Sequence, residues 1–160
     1  MSKPTKAASG KVTSLLAADA INLSLQANEK VAALREVAEL LHSKSGLTDF
    51  DSFFKEILER ERVSNTALGH DVAIPHARTD QCTEILMAVG RSATGIEFGA
   101  KDGQPVRLIF LIGTPKQMVT EYLRVVGNLA RLLRQDDLRR RLLEVPTPAE
   151  FVKFLEEAEG

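Results

Sequence analysis

Two long apolar runs constrain the fold of this chain more than any other feature. Residues 85–90 read I-L-M-A-V-G, and residues 106–113 read V-R-L-I-F-L-I-G. A continuous apolar run of roughly four to eight residues is typical of a strand buried on both faces, because a strand with one solvated face alternates apolar and polar residues. The short run G-I-E-F-G at 95–99 predicts a further strand, and K-D-G-Q at 101–104 predicts a hairpin turn that leads into the second long run. We therefore predict that both long runs are central strands of a sheet.

Helical patterns lie on both sides of these runs in the sequence. Apolar residues recur there at helical spacing, and capping signals mark where the helices begin. The predicted elements are a half-buried strand at 21–25 and helices at 28–41, 48–62, 114–133, 136–143 and from 147 onward. No repeat or low-complexity linker divides the chain. This order predicts an α/β fold, a single domain whose mixed β-sheet of about four to six strands is flanked by helices on its faces.

The long third helix carries two more specific predictions. Residues 114–117, T-P-K-Q, combine an N-cap, a proline at the first helical position and a capping-box partner, so the helix is predicted to begin at Thr114. A tyrosine at the edge of a buried helix stripe commonly packs its ring and leaves its hydroxyl at the rim. The stripe predicted from apolar spacing contains Val119, Tyr122, Leu123, Val126, Leu129, Ala130 and Leu133.

Composition limits the classes of protein to which the chain can belong. The net charge is −1 and the pI is about 6.3, so no overall charge indicates nucleic acid or a membrane surface as a partner. No apolar run approaches the roughly 20 residues that a membrane-spanning helix needs. The single cysteine, Cys82, has no partner for an internal disulfide, which is typical of a reducing compartment. We expect a cytoplasmic protein with a disordered tail at 1–11, which lacks the apolar stretch of a secretion signal, and one domain at 12–160.

The segment 60–78 holds the residues that indicate chemistry. It ends in V-A-I-P-H-A-R, where a proline fixes the backbone immediately before His76. A histidine has an unperturbed pKa of about 6.5, so its ring is mostly neutral near pH 7 and offers a nitrogen lone pair for attack on phosphorus. Arg60 provides a fork of donors suited to phosphate, and Thr66 or Ser64 provides a hydroxyl. These residue types fit phosphoryl transfer, although a turn histidine without a function looks the same in a sequence.

The same segment resembles a known family. The run L-E-R-E-R-V-S-N-T-A-L-G at 58–69, followed by V-A-I-P-H at 72–76, is similar to the signature of the enzyme IIA domains of the bacterial phosphoenolpyruvate-dependent phosphotransferase system, of the mannitol, fructose and nitrogen-regulatory type. The resemblance continues through 95–98 and 104–112 and covers about residues 12–157. It implies a IIA-type fold and a phosphotransferase component that acts through a phosphohistidine.

The resemblance also implies a role for each matching residue. His76 corresponds to the histidine that accepts a phosphoryl group from the carrier protein HPr, Arg60 to the arginine near it, and Thr66 to the neighbouring hydroxyl residue. Tyr122 stands where the family usually has a second histidine in contact with the phosphohistidine, and Ala77 replaces a common glycine. A phenol donates one hydrogen bond and stays neutral near pH 7. We therefore expect phosphate stabilisation or onward transfer to be altered.

Two functions follow from the resemblance, and the sequence leaves both open. In the first, HPr phosphorylates His76, and the phosphoryl group passes to a cysteine or histidine of a IIB domain that serves sugar uptake. In the second, the chain is a regulatory module of the nitrogen type, which controls a transporter or kinase by binding it according to the phosphorylation state of His76. The tyrosine at position 122 favours the second function somewhat. Neither function calls for a cofactor, a metal, nucleic-acid binding or direct membrane insertion.

Other interpretations of single residues have less support. The pair His70-Asp71 occurs in metal-dependent phosphohydrolases, but there it lies on a helix, whereas Pro75 makes this segment extended. His70 and His76 have no cysteine and too few nearby carboxylates to complete a metal site. Cys82 precedes an apolar strand and has no basic neighbour in the sequence, which favours an unreactive cysteine over a nucleophile.

Overall fold

A computed structural model describes residues 10–160, and within them the chain forms one six-stranded sheet. The strands are β1 (Ile21–Asn22), β2 (Ala67–Gly69), β3 (Val72–Ala73), β4 (His76–Thr79), β5 (Leu86–Ile96) and β6 (Val106–Pro115). Their order is β1-β5-β6-β3-β2, and β4 also pairs with β6. β5 and β6 are antiparallel, whereas β1 runs parallel to β5, and both β3 and β4 run parallel to β6. The prediction of a mixed sheet is therefore confirmed.

β5 and β6 form the centre of the sheet, as the two apolar runs predict. Every residue of β6 except Arg107 is buried. The register between the two strands shifts between Arg91 and Ile96, so β5 continues past the irregularity to Ile96. The prediction of a separate strand at 95–99 is wrong, because the first two of those residues are the end of β5 and the other three lie outside any strand.

Helices cover both faces of the sheet. The described residues contain α1 (Lys30–Ala38), α2 (Phe50–Val63), α3 (Val119–Leu132), α4 (Asp136–Glu144) and α5 (Pro148–Glu159). Leu108, Phe110 and Ile112 belong to a core cluster with residues of α3, α4 and α5. Ile109 and Leu111 belong to a second cluster with residues of α1 and α2. Because side chains alternate along a strand, β6 supplies both cores, and the predicted layering is confirmed.

Three local boundaries differ from the sequence prediction by a few residues. β1 ends at Asn22 rather than at residue 25, because the Asn22 side chain accepts the Ser24 N–H and interrupts the strand. The chain still contacts β5 at Leu25, whose N–H donates to the Arg91 carbonyl at 3.0 Å. The N-caps of α1 and α2 are Glu29 and Asp49, each one residue after the predicted cap, and each side chain accepts a backbone N–H. The last helix begins as predicted, since the Thr147 hydroxyl caps it.

The predicted start of α3 at Thr114 is wrong. Thr114 and Pro115 are the last residues of β6, where they pair with Arg78 and Thr79 of β4, and the helix begins only at Val119. The threonine-proline signal is local, whereas the pairing with β4 joins residues far apart in the chain, and the pairing prevails. The Thr114 side chain is fully buried in consequence, and its hydroxyl has no hydrogen-bond partner among the described residues.

The buried face of α3 also differs from the predicted stripe in its first half. Val125, Leu129 and Leu132 are the buried residues of the helix. Val119 and Leu123, both predicted to be buried, are 39% and 60% exposed. The face of the helix that packs on the core therefore begins at Val125, one position before the predicted Val126. The predicted apolar residues of the first turns lie at the surface instead.

The start of the described chain is held by side-chain hydrogen bonds. The Gly10 carbonyl accepts a hydrogen bond from Asn128 of α3 at 2.7 Å, and the Lys11 ammonium donates to the Gly160 carbonyl at 3.2 Å. The predicted disordered tail included these two residues, and its other members, residues 1–9, lie outside the described residues. No helix within residues 10–160 is long and apolar enough to cross a bilayer.

Candidate functional site

The position of His76 is set by the way its strand pairs with β6. β3 and β4 both lie alongside β6, and Ile74 and Pro75 lie between them. Pro75 has no N–H to donate, while its carbonyl accepts the Ile112 N–H at 2.9 Å, so β6 also holds the chain across the proline. His76 is the first residue of β4 and lies in register with Ile112. The histidine is thus carried by a paired strand, and its ring lies on the α3 side of the sheet.

The His76 ring has one nitrogen engaged by the backbone. Nδ1 lies 2.8 Å from the Ile74 carbonyl oxygen. Because a carbonyl only accepts, Nδ1 carries the proton in a neutral ring and Nε2 has the free lone pair. Burial lowers the pKa of His76, the hydrogen bond to Ile74 opposes this, and the Arg60 charge lowers the pKa further. The ring is therefore neutral near pH 7, and Nε2 is its nucleophilic atom.

A cavity of about 200 Å³ lies against the imidazole. Arg60, from the last turn of α2, lines this cavity together with Thr66, and its guanidinium donates to the Ser64 carbonyl at 2.9 Å. Ser64 ends the helix, is exposed, and does not line the cavity. The structure therefore brings together three of the predicted site residues, His76, Arg60 and Thr66. Ser64 enters the site only through its carbonyl, which orients Arg60.

The Thr66 hydroxyl is directed toward Glu61 and not toward the phosphoryl group for which the sequence predicts it. It donates to Glu61 Oε2 at 2.7 Å, and the Thr66 N–H donates to the other oxygen of the same carboxylate at 3.1 Å. Both donors of this residue are therefore engaged by Glu61. Thr66 is also buried, with 7% of its surface exposed, so its hydroxyl proton is not directed toward a phosphoryl group at the site.

Tyr122 of α3 contacts the histidine directly. The centroids of the Tyr122 and His76 rings are 5.5 Å apart, and the ring planes are inclined by 49°. Burial raises the pKa of the Tyr122 phenol, and the charges of Arg60 and Arg78 oppose the rise. The residue at the expected position of a second histidine is thus a neutral hydrogen-bond donor beside the imidazole, within the field of two cations.

Sequence reasoning did not assign several residues of the site. Arg78 lies two residues after His76 in the same strand, hence on the same face, and period-two spacing was the signal that could have identified it. Val126 and Ala130 line the cavity. Together with Tyr122 they follow the helical spacing of four residues, so part of the stripe predicted to be core is the wall of the site.

The pair His70-Asp71 forms a tight turn. His70 and Asp71 have φ values of 53° and 74°, which are the left-handed conformations of a two-residue hairpin, and they join β2 to β3. The Asp71 carboxylate pairs with Arg107 at 3.0 Å. This pair is therefore not on a helix, as a His-Asp metal motif of phosphohydrolases requires. Within residues 10–160, no three His, Cys, Asp or Glu side chains are grouped as metal ligands.

Cys82 has the properties of an unreactive thiol. It is 4% exposed, and burial raises its pKa to about 12, with a further rise from the nearby carboxylates of Glu56 and Glu84. A thiol reacts as its thiolate, so this side chain is a poor nucleophile near pH 7. The described residues therefore leave His76 as the best nucleophile of the site.

Comparison with known proteins shows the family of this chain. The family model described as "Phosphoenolpyruvate-dependent sugar phosphotransferase system, EIIA 2" matches residues 14–158. The chain belongs to this family. The resemblance drawn from the segment around His76 is therefore confirmed at the level of the family.

The relatives of this EIIA protein include both sugar-specific and regulatory members. It is 35% identical over 131 residues to a nitrogen regulatory protein of Bradyrhizobium diazoefficiens, which is 82% of this chain and 85% of that protein. It is 31% identical over 145 residues to the fructose-specific EIIABC component of Bacillus subtilis, where the match is 91% of this chain but only 23% of that protein. The crystal structure of nitrogen regulatory protein IIA-Ntr from Neisseria meningitidis superposes with a TM-score of 0.84 at 29% identity, covering 90% of this chain and 98% of that chain.

Proposed function

We propose that this EIIA protein carries a phosphoryl group on Nε2 of His76, received from an HPr-type carrier and passed to a IIB domain. The observation that supports this most directly is the 2.8 Å contact between His76 Nδ1 and the Ile74 carbonyl, which leaves Nε2 with a free lone pair. In the first step the bond from the donor nitrogen to phosphorus breaks while a bond from Nε2 to phosphorus forms. In the second step the Nε2–phosphorus bond breaks as a cysteine or histidine of the IIB domain attacks. Nδ1 keeps its proton throughout and donates it in the hydrogen bond to the Ile74 carbonyl.

The charges around His76 suit an incoming phosphoryl group. Phosphoryl transfer depends on donors placed where the phosphoryl oxygens carry negative charge. Arg60 lines the cavity beside the ring, and Arg78 and Tyr122 lie on the same side of the sheet. We assign phosphate binding to the two arginines and one hydrogen bond to the tyrosine hydroxyl. Thr66, whose donors are engaged by Glu61, is assigned to holding the loop.

The size of the cavity and its surroundings favour a protein as the donor. A cavity of about 200 Å³ accommodates a phosphoryl group but lies below the roughly 300 Å³ at which small-molecule sites begin. Apolar side chains are exposed on the three elements that wall it: Val63 at the end of α2 (84%), Leu68 on β2 (49%) and Leu123 on α3 (60%). Exposed apolar residues around a small site that contains a nucleophile and a cation are typical of a protein-docking surface. We therefore expect the phosphoryl donor and acceptor to be proteins.

A regulatory function is the second candidate. The specific support is that the Tyr122 ring contacts His76 at the position where the family usually has a second histidine. Nitrogen regulatory proteins are also among the relatives, and the Bradyrhizobium protein is 35% identical. In this function the same phosphohistidine forms, but its presence changes the affinity of the chain for a transporter or a kinase. The chemistry at His76 is common to both candidates, and they differ in what happens after phosphorylation.

Phosphorylation with a purified donor system tests the shared step. The protein is incubated with phosphoenolpyruvate, enzyme I and HPr from the same cell, and intact mass is recorded before and after acid treatment. We expect an acid-labile phosphoryl group in the wild type and none in His76→Ala. The matched control is His70→Ala, which changes an exposed histidine on the nearby hairpin and should retain phosphorylation. An unphosphorylated wild type, or a phosphorylated His76→Ala, refutes the proposal.

A chase experiment separates the two candidates. The phosphorylated protein is mixed with IIB domains encoded in the same genome, and loss of its phosphoryl group is followed over time. Rapid transfer to a IIB domain supports the carrier function. A phosphoprotein that retains its group with every IIB domain, and that binds a transporter or kinase differently from the unphosphorylated form, supports the regulatory function instead.

A further inference from the structure

Glu61 is a buried carboxylate immediately beside the proposed site. It follows Arg60 in the last turns of α2, and only 7% of its surface is exposed. Its Oε1 lies 3.0 Å from the Lys30 ammonium of α1, which also lies over the ring of Phe98. A buried charge is unfavourable unless it is paired and hydrogen-bonded, so a carboxylate held in this place requires an explanation.

The two oxygens of Glu61 hold a single residue of the following loop. Oε1 accepts the Thr66 N–H and Oε2 accepts the Thr66 hydroxyl, at 3.1 and 2.7 Å. Thr66 is thereby fixed through both its backbone and its side chain. A carboxylate accepts at both of its oxygens in this way, and the Lys30 ammonium pairs with the same group.

The loop in turn holds the peptide that orients the imidazole. The Thr66 carbonyl accepts the Ile74 N–H at 3.1 Å, and the Ile74 carbonyl faces Nδ1 of His76 at 2.8 Å. The backbone of Ile74 is thus held to Thr66 through its N–H and to the ring through its carbonyl. An unbroken series of contacts leads from Lys30 of α1 to the histidine ring.

We propose that Glu61 is a positioning residue for His76, which acts through Thr66 and Ile74 to keep the proton on Nδ1 and the lone pair on Nε2. Its consequence for phosphoryl transfer rests on the proposed function, whereas its effect on the ring does not. A purely structural Glu61 would change the stability of the fold and leave the protonated nitrogen of His76 as it is. A positioning Glu61 changes which ring nitrogen carries the proton.

The test compares Glu61→Gln with the wild type. Glutamine has nearly the same shape but only one acceptor oxygen and no charge, so it cannot accept at both terminal atoms from Thr66 and it loses the ion pair with Lys30. Long-range proton–nitrogen NMR spectra at pH 8 report which nitrogen of His76 is protonated. We expect a single Nδ1–H form in the wild type and a mixture with the Nε2–H form in the variant. Phosphoryl acceptance from HPr should slow on the order of tenfold, since small errors of placement at a reacting atom are costly.

Glu59→Gln is the matched control, because it removes the same charge from an exposed position of the same helix. It should leave both the His76 spectrum and the acceptance rate unchanged. Thr66→Val removes only the hydroxyl bond and should shift the ring in the same direction as Glu61→Gln but to a smaller extent. If Glu61→Gln does not fold, the Thr66→Val spectrum alone tests the positioning role of Glu61.

The outcomes separate this proposal from the proposed function. A folded Glu61→Gln that keeps the single Nδ1–H form overturns the positioning role, and so does an unchanged Thr66→Val if only that variant folds. Either result leaves phosphorylation of the wild type as a separate fact. A wild type that accepts no phosphoryl group, with a mixed ring in Glu61→Gln, refutes the carrier chemistry and supports the positioning role.

Discussion

Replacing Tyr122 with leucine should slow phosphoryl transfer to His76 by roughly two- to tenfold. The ring centroids are 5.5 Å apart with the planes inclined by 49°, a geometry in which an aromatic pair contributes about 0.5–1.5 kcal/mol beyond its buried area. If that contact keeps the imidazole in its reactive orientation, its loss raises the barrier by the same amount, and about 1.4 kcal/mol corresponds to a factor of ten in rate. Tyr122 is only half-buried, so the fold should tolerate the change.

The assay is single-turnover transfer from phosphorylated HPr, quenched at short times and read by intact mass. Tyr122→Phe retains the ring and should lose less rate than Tyr122→Leu, which separates the ring from the hydroxyl. Tyr122→His restores the residue usual in the family and should alter the lifetime of the phosphohistidine. Thr120→Ala, an exposed change in the same helix, is the control. A Tyr122→Leu protein that accepts the phosphoryl group as fast as the wild type would show that the ring contact is packing alone.

Two further predictions concern stability. Gly113→Ala should lower the free energy of unfolding by about 1–3 kcal/mol in urea titrations, because a Cβ there would lie 2.7 Å from both Cys82 Sγ and Phe53 Cε1. Gly127→Ala, with open space around the added methyl, should instead stabilise α3 by up to about 1 kcal/mol, and equal effects of the two variants would contradict the packing argument. The lowered pKa of His76 means that, below pH 6.5, the unfolded chain binds the proton more readily than the folded chain. The stability of the wild type relative to His76→Gln should therefore fall as the pH is lowered from 7.5 through 6.5 toward the folded pKa, and a difference that does not vary with pH would contradict burial of the ring.

The parts of the fold that could be predicted are those in which one local pattern has one physical explanation. The apolar run at 106–113 is typical of a strand buried on both faces, and it is the central strand β6. The threonine-proline signal at Thr114 has two explanations, since the same residues can cap a helix or end a strand. Pairing with β4 decided between them, and that partner is distant in sequence.

The candidate site shows the same division. His76 and Arg60 could be named from the sequence because their residue types suit phosphate and their spacing resembles a family. Glu61 could not, since a glutamate in the last turn of an amphipathic helix is usually solvated, and its burial depends on Lys30 of another helix. The direction of the Thr66 hydroxyl depends on the same carboxylate. Arg78 could be assigned to the site only if residues 76–79 were known to form the strand β4.

The single free nitrogen of His76 has a consequence for the order of events. One cavity of about 200 Å³ lies against the ring, and the backbone of His76 is paired to β6, so the reacting atom stays in one place. A donor and an acceptor that both need this atom cannot be bound together. The two partners have to bind one after the other at the cavity beside His76, and each competes with the other for the protein. The flow of phosphoryl groups through such a protein would then depend on how quickly the first partner departs as much as on the chemistry at the ring.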